Sequence, residues 1–91
     1  MAEPAIDVDR IDDAVLALMF LTLHRYSSDD PNWRAWKSFD WDALGRLHAK
    51  DLIYDPVGKT KSVVLTEAGR RRCEEAYFRL FARREVSADD E

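Results

Sequence analysis

LHAKDLIYDPVGKTKSVVLTEAG, residues 47–69, holds the end of one helix, a reversal of the chain, and the start of another helix. Leu52 to Tyr54 begins a strand, and Asp55-Pro56-Val57-Gly58 supplies a turn in which proline presets one dihedral and Gly58 is free to take a positive φ. The β-branched Val63 and Val64 suit a returning strand, and Thr66 is placed to cap the final helix. Gly58-Lys59-Thr60 matches the end of a phosphate-binding loop, but that loop needs a glycine five positions earlier and a helix directly after it. The earlier position is Ile53 and the chain continues as a strand, so nucleotide binding is not expected. Lys59 and Lys61 belong instead to the tip or edge of a β-hairpin, where they meet a phosphate backbone or protect a sheet edge.

Upstream, Asp40 is the expected cap of a helix from Trp41 to about Lys50, with Trp41, Leu44 and Leu47 toward the core. Asp51 stands where that helix stops, a residue tolerant of the left-handed conformation. Asp30-Pro31 reads as the cap and first position of a short helix over Asn32–Lys37. Trp33, Trp36, Phe39 and Trp41 then form a core cluster, or alternatively a ligand-stacking surface. The first helix is expected from a cap at Asp7 or Asp9 to about His24. Its apolar residues surround the axis, which calls for burial on every side.

Downstream, the last helix is expected from Glu67 to about Glu85, with Gly69 marking a close backbone approach. Cys73, Ala76, Tyr77, Leu80 and Phe81 fall within an arc of roughly 140° and Phe78 lies just outside it. A short chain has little of its own to cover so much apolar surface. A homodimer completes the core, with Phe20, Tyr77, Phe78, Leu80 and Phe81 at its interface.

Ninety-one residues make one domain, expected over 9–86, with a flexible N-terminus at 1–8 and a disordered acidic tail at 87–91. Hydrophobic residues at 46% and charged residues at 35% suit a globular chain rather than a disordered one. The longest apolar run, Ala14–Leu21, is too short to span a bilayer, the start lacks a signal-peptide pattern, and the one cysteine, Cys73, forms no internal disulfide. A cytoplasmic protein without membrane association is expected. The net charge of -4 divides into -5 over residues 1–30, +4 over 31–86 and -3 over the last five, so any basic surface is local. His24 and His48 are placed as structural or surface residues, and no set of side chains has catalytic or metal-ligand spacing. Neither an enzyme nor a cofactor is expected.

Three helices, a two-stranded hairpin and a further helix give a mainly α fold, a winged helix-turn-helix with four helices and a two-stranded wing. Leu47 to Gly69 resembles the recognition-helix end and wing of MarR- and PadR-type bacterial regulators, except that Asp51 replaces the usual glycine. IDDAVLALMFLTLHR (11–25) together with WRAWKSFDWDALGRLHAKDLIYDPVGKTKSVVLTEAG (33–69) resembles a family of short bacterial proteins of unknown function. The resemblance to regulators implies contact with double-stranded DNA through the third helix and the wing of the dimer expected above, with Arg34, Arg46, Lys50, Lys59 and Lys61 as contact residues. Asp40 and Asp42 oppose that reading, since Asp42 can pair with Arg46. An interaction module that binds another protein and no DNA is the alternative.

Overall fold

Asp7 opens α1 (Val8–Met19) by accepting hydrogen bonds on its carboxylate from the N–H groups of Asp9 and Arg10, and Asp9 places negative charge in the first turn. The computed structural model describes residues 4–83. The helix does not reach His24 as expected. Phe20–Thr22 tighten into a single 3₁₀ turn, and His24 then leaves to pair with Arg34 in an antiparallel bridge. Leu16, Ala17 and Met19 are fully buried, yet Leu18 and Leu21 remain exposed, so one chain does not bury α1 on all sides.

Asn32–Lys37 is not a helix. Asp30 accepts from the N–H of Asn32 in a local turn, and Arg34–Trp36 forms β1. A helix that short gains too few hydrogen bonds to offset its nucleation, whereas pairing with Ser62–Val64 (β2) on one edge and with His24 on the other satisfies this backbone. The two strands are antiparallel, with Arg34 opposite Val64, Ala35 opposite Val63 and Trp36 opposite Ser62. The expected hairpin survives only as a bridge between Ile53 and Leu65, and the strand partner of 62–64 is β1. Among the described residues the architecture is therefore three α-helices and a two-stranded sheet, a mixed α/β globule. It corrects the four-helix winged helix-turn-helix expected from the sequence.

Asp40 caps α2 (Trp41–Ala49) through the N–H of Ala43. Ala43, Leu44 and Leu47 point inward, but Trp41 is 55% exposed. At 100° per residue it lies about 120° from Leu47, outside the stripe it was expected to extend. Asp51 takes φ 63°, as expected of the helix stop.

Thr66 starts α3 (Glu67–Phe81): its hydroxyl donates to the carbonyl of Asp51 and accepts from the N–H of Gly69. Gly69 packs directly on the Leu52 carbonyl, where a Cβ would overlap the oxygen. The helix ends at Phe81, and both the expected extension toward Glu85 and the acidic tail at 87–91 fall mainly or wholly outside the described residues. Val15, Leu16 and Met19 of α1, Leu44 and Leu47 of α2, Ile53, Val63, Leu65 and Cys73 close one core.

Candidate interaction surfaces

Arg46 and Lys50, expected on a DNA-reading face of α2, both turn toward α1. The Arg46 guanidinium lies along the carboxylate of Asp12, with Nε 2.9 Å from each oxygen, and Lys50 Nζ bridges Asp12 at 3.0 Å and Asp9 at 2.9 Å. Asp12 is 1% exposed. Its burial would by itself raise the carboxyl, but hydrogen bonds from Arg46 and Lys50 outweigh that and hold it below the usual carboxylate range. The hydrogen bond to Asp12 raises the Arg46 guanidinium, and that to Asp9 raises the Lys50 ammonium. Arg46 pairs across the core edge with Asp12 rather than along its own helix with Asp42.

The other three basic residues lie on the sheet side. Arg34 donates from Nε to the Ser62 hydroxyl at 2.8 Å, and its guanidinium sits 4.8 Å above the Tyr26 ring. Lys59 and Lys61 are exposed on the loop that joins Tyr54 to β2. That loop is fixed from inside by Lys37, whose Nζ donates to the carbonyls of Pro56 and Gly58 at 2.7 and 3.1 Å. The structure thus divides the five residues between two surfaces, with Arg46 and Lys50 committed to carboxylates.

Of the residues expected at a dimer interface, Phe20, Tyr77, Phe78 and Phe81 pack together, and Leu80 lines the groove beside Phe81. Phe20 packs on Tyr77 and Phe78 at ring distances of 4.7 and 5.8 Å, and Tyr77 meets Phe81 at 5.8 Å. Phe78 is 53% and Phe81 48% exposed, and Leu80 is also exposed. A shallow groove runs between Ala14 on one side and Leu80 and Phe81 on the other, with Arg10, Asp13 and Arg79 on its rim. Ile11, Leu18 and Leu21 continue the exposed apolar stripe along α1.

Two arrangements escape the sequence reading. Trp33 carries two cations on its ring, Arg25 at 4.5 Å and Arg70 at 5.2 Å, beside an open cleft of about 590 Å³ that Tyr54, Leu65 and Glu67 help to line. The outer face of the sheet forms a row of rings: His24 stacks on Trp36 at 4.6 Å, and Tyr26 lies under Arg34. The period-two spacings His24-x-Tyr26 and Arg34-x-Trp36 are the signal that could have found it. They are hidden when Asn32–Lys37 is read as helix.

No group of three or more His, Cys, Asp or Glu among the described residues is placed to hold a metal ion. The Nδ1 of His24 donates to the Thr22 carbonyl at 2.7 Å. Cys73 is fully buried, and its thiol is pushed up to about 11 by burial, which Arg70 opposes and Glu74 slightly reinforces. No helix among the described residues is long and apolar enough to cross a membrane.

The chain is similar to "Uncharacterized protein y4hR" of Sinorhizobium fredii (strain NBRC 101917 / NGR234), with 56% identity over 78 residues that cover 86% of this chain and 97% of the relative. No solved structure matches it. A family model described as "Domain of unknown function (DUF6429)" matches residues 7–83, a span holding α1, the sheet, α2 and α3 together. The chain belongs to that family of unknown function.

Proposed function

We propose that this protein is a non-enzymatic, cytoplasmic interaction module that works as a homodimer, joined through the apolar edge formed by α1 and the end of α3. The observation that carries this reading is the exposure of Phe78, Leu80 and Phe81 beside Phe20 and Tyr77, where a single chain leaves several large apolar groups in water. Covering an aromatic side chain removes a large apolar area from solvent, at roughly 25 cal/mol per Å². The rim supports a second copy as the occupant. Arg10, Asp13 and Arg79 give that rim both signs of charge, as a surface that pairs with its own copy requires.

Double-stranded DNA is the second reading, favoured by the exposed Lys59 and Lys61. It is weakened by the commitment of Arg46 and Lys50 to Asp12 and Asp9. Sedimentation equilibrium of the full chain tests the first reading: twice the mass of one chain is expected, falling to one chain in Phe78→Ser/Phe81→Ser. A wild-type monomer at every accessible concentration overturns it.

A further inference from the structure

The row of rings on the outer face of the sheet has a chemistry of its own, independent of the proposed dimer. Strand alternation turns Ala35 into the core and Arg34 and Trp36 outward. His24 is bridged to Arg34, so it lies on the same face, and the contact between Arg34 and Tyr26 places that ring there as well. Tyr26 is 70% and Trp36 47% exposed. Two accessible rings, with a guanidinium and an imidazole between them, line one side of a rigid, hydrogen-bonded surface.

Charge favours the same occupant. The backbone of Lys61 lies beside the Trp36 end, since its carbonyl accepts from Lys37 N–H at 3.0 Å, and the exposed loop that Lys37 pins carries Lys59 and Lys61 past that end of the face rather than on it. Asp29 and Asp30 lie in the loop that follows Tyr26, so a polyanion is held more strongly at the lysine end. Planar rings that accept any base, with cations at one border, are the requirements of sequence-tolerant recognition of an unpaired strand. A duplex hides its base faces and has no use for Tyr26 or Trp36.

We propose that this face binds single-stranded nucleic acid, with bases stacked on Trp36 and Tyr26 and phosphates held by Lys59 and Lys61. The test is fluorescence anisotropy of the full chain with labelled oligothymidylate and oligouridylate of roughly 16 nucleotides, and with a duplex of equal length, at low and physiological salt. Salt-sensitive binding to a single strand is expected, with preference between the two oligonucleotides distinguishing DNA from RNA. Trp36→Ala and Tyr26→Ala should each weaken it about tenfold, Trp36→Phe should retain most of it, and Lys59→Ala/Lys61→Ala should weaken it and flatten its salt dependence. Circular dichroism checks each fold, and if Trp36→Ala unfolds, the exposed Tyr26 decides. The proposal is overturned by no binding at low salt, by unchanged binding in folded ring variants, or by tighter binding to the duplex that depends on the lysines alone. The oligomeric state is read separately, so the dimer and the platform stand or fall on their own.

Discussion

Arg46 of α2 grips both carboxylate oxygens of Asp12 in α1, and Lys50, the residue that caps the end of α2, completes the contact. One buried carboxylate thus ties the start of α1 to the end of α2. A buried charge with one partner removed is costly, and here removal of the anion would leave Arg46 without its partner at the core edge, while Lys50 keeps Asp9. Arg46 and Lys50 are partly solvated, which lowers that cost. Asp12→Ala is expected to destabilise the fold by about 2 kcal/mol in urea denaturation.

The same pair makes stability depend on acid. The Asp12 carboxyl is held below its ordinary value of 3.8, so the unfolded chain takes up the proton first as pH falls. The contribution is fully present above about pH 5 and is lost as pH drops from there through the lowered folded-state value. The melting temperature of the wild type should therefore fall between about pH 5 and pH 3 more steeply than that of Asp12→Asn. Parallel slopes for the two proteins would show that Asp12 does not carry the effect.

Gly69 against the Leu52 carbonyl gives a test of opposite sign from ordinary helix chemistry. Replacing a helical glycine by alanine normally gains about 1 kcal/mol. Here the new methyl would overlap a backbone oxygen that itself accepts from Thr66 N–H at 3.0 Å, so neither neighbour can rotate away. Gly69→Ala should lose stability by about 2 kcal/mol net, since overpacking costs of this kind run to about 3 kcal/mol. Gly45 meets nothing within 4 Å, so Gly45→Ala is the matched control and should stabilise. A stabilising Gly69→Ala would contradict the close approach.

Much of the local structure was legible because it rests on local chemistry. Asp7, Asp40 and Thr66 announce their helices through side chains that satisfy first-turn N–H groups, and Asp51 and Gly58 announce their turns through the backbone conformations they tolerate. The strand at Arg34–Trp36 was not legible, because its stability comes from Val63 and Val64 some thirty positions away. Aspartate before proline is as good a start for a turn as for a helix. Losing that helix also loses the winged-helix assignment, since β2 pairs with β1 rather than chiefly with Leu52–Tyr54. Arg46 and Lys50 were visible as cations, but Asp12 was visible only as a first-helix acid, and no spacing rule brings those two helices together. The contact of Tyr77 with Phe81 was visible as helical periodicity, whereas the expected core cluster of Trp33, Trp36, Phe39 and Trp41 does not form, since Trp36 and Trp41 are exposed.

Cys73 should behave as a small buried apolar group. Its thiol accessibility is nil and burial pushes its proton affinity up to about 11, so almost no thiolate exists at neutral pH. A thiol-specific chromogenic reagent at pH 8 should label the folded chain only at the rate at which the core opens, and label the urea-unfolded chain at once. Rapid labelling of the folded protein would mean that α3 detaches from the core readily.

Lys37 tethers the loop that carries Lys59 and Lys61, and its contribution should be local. Its two acceptors, the carbonyl of Pro56 in a half-buried contact and the exposed carbonyl of Gly58, lie on a surface loop, where water can reach them once the ammonium is removed. Lys37→Met should therefore change global stability by less than about 1 kcal/mol. The loop itself should open more often, because its remaining hydrogen bonds are the N–H of Val57 to Asp55, the Thr60 hydroxyl to the Ser62 carbonyl and, at its far end, the Lys37 N–H to the Lys61 carbonyl. Trypsin cuts after lysine only in segments that can leave their folded path, so cleavage at Lys59 and Lys61 should accelerate several-fold in the variant while cleavage at Lys50 does not. Equal acceleration at Lys50 would show a global effect instead. Unchanged rates at all three sites would show that the loop is held without Lys37.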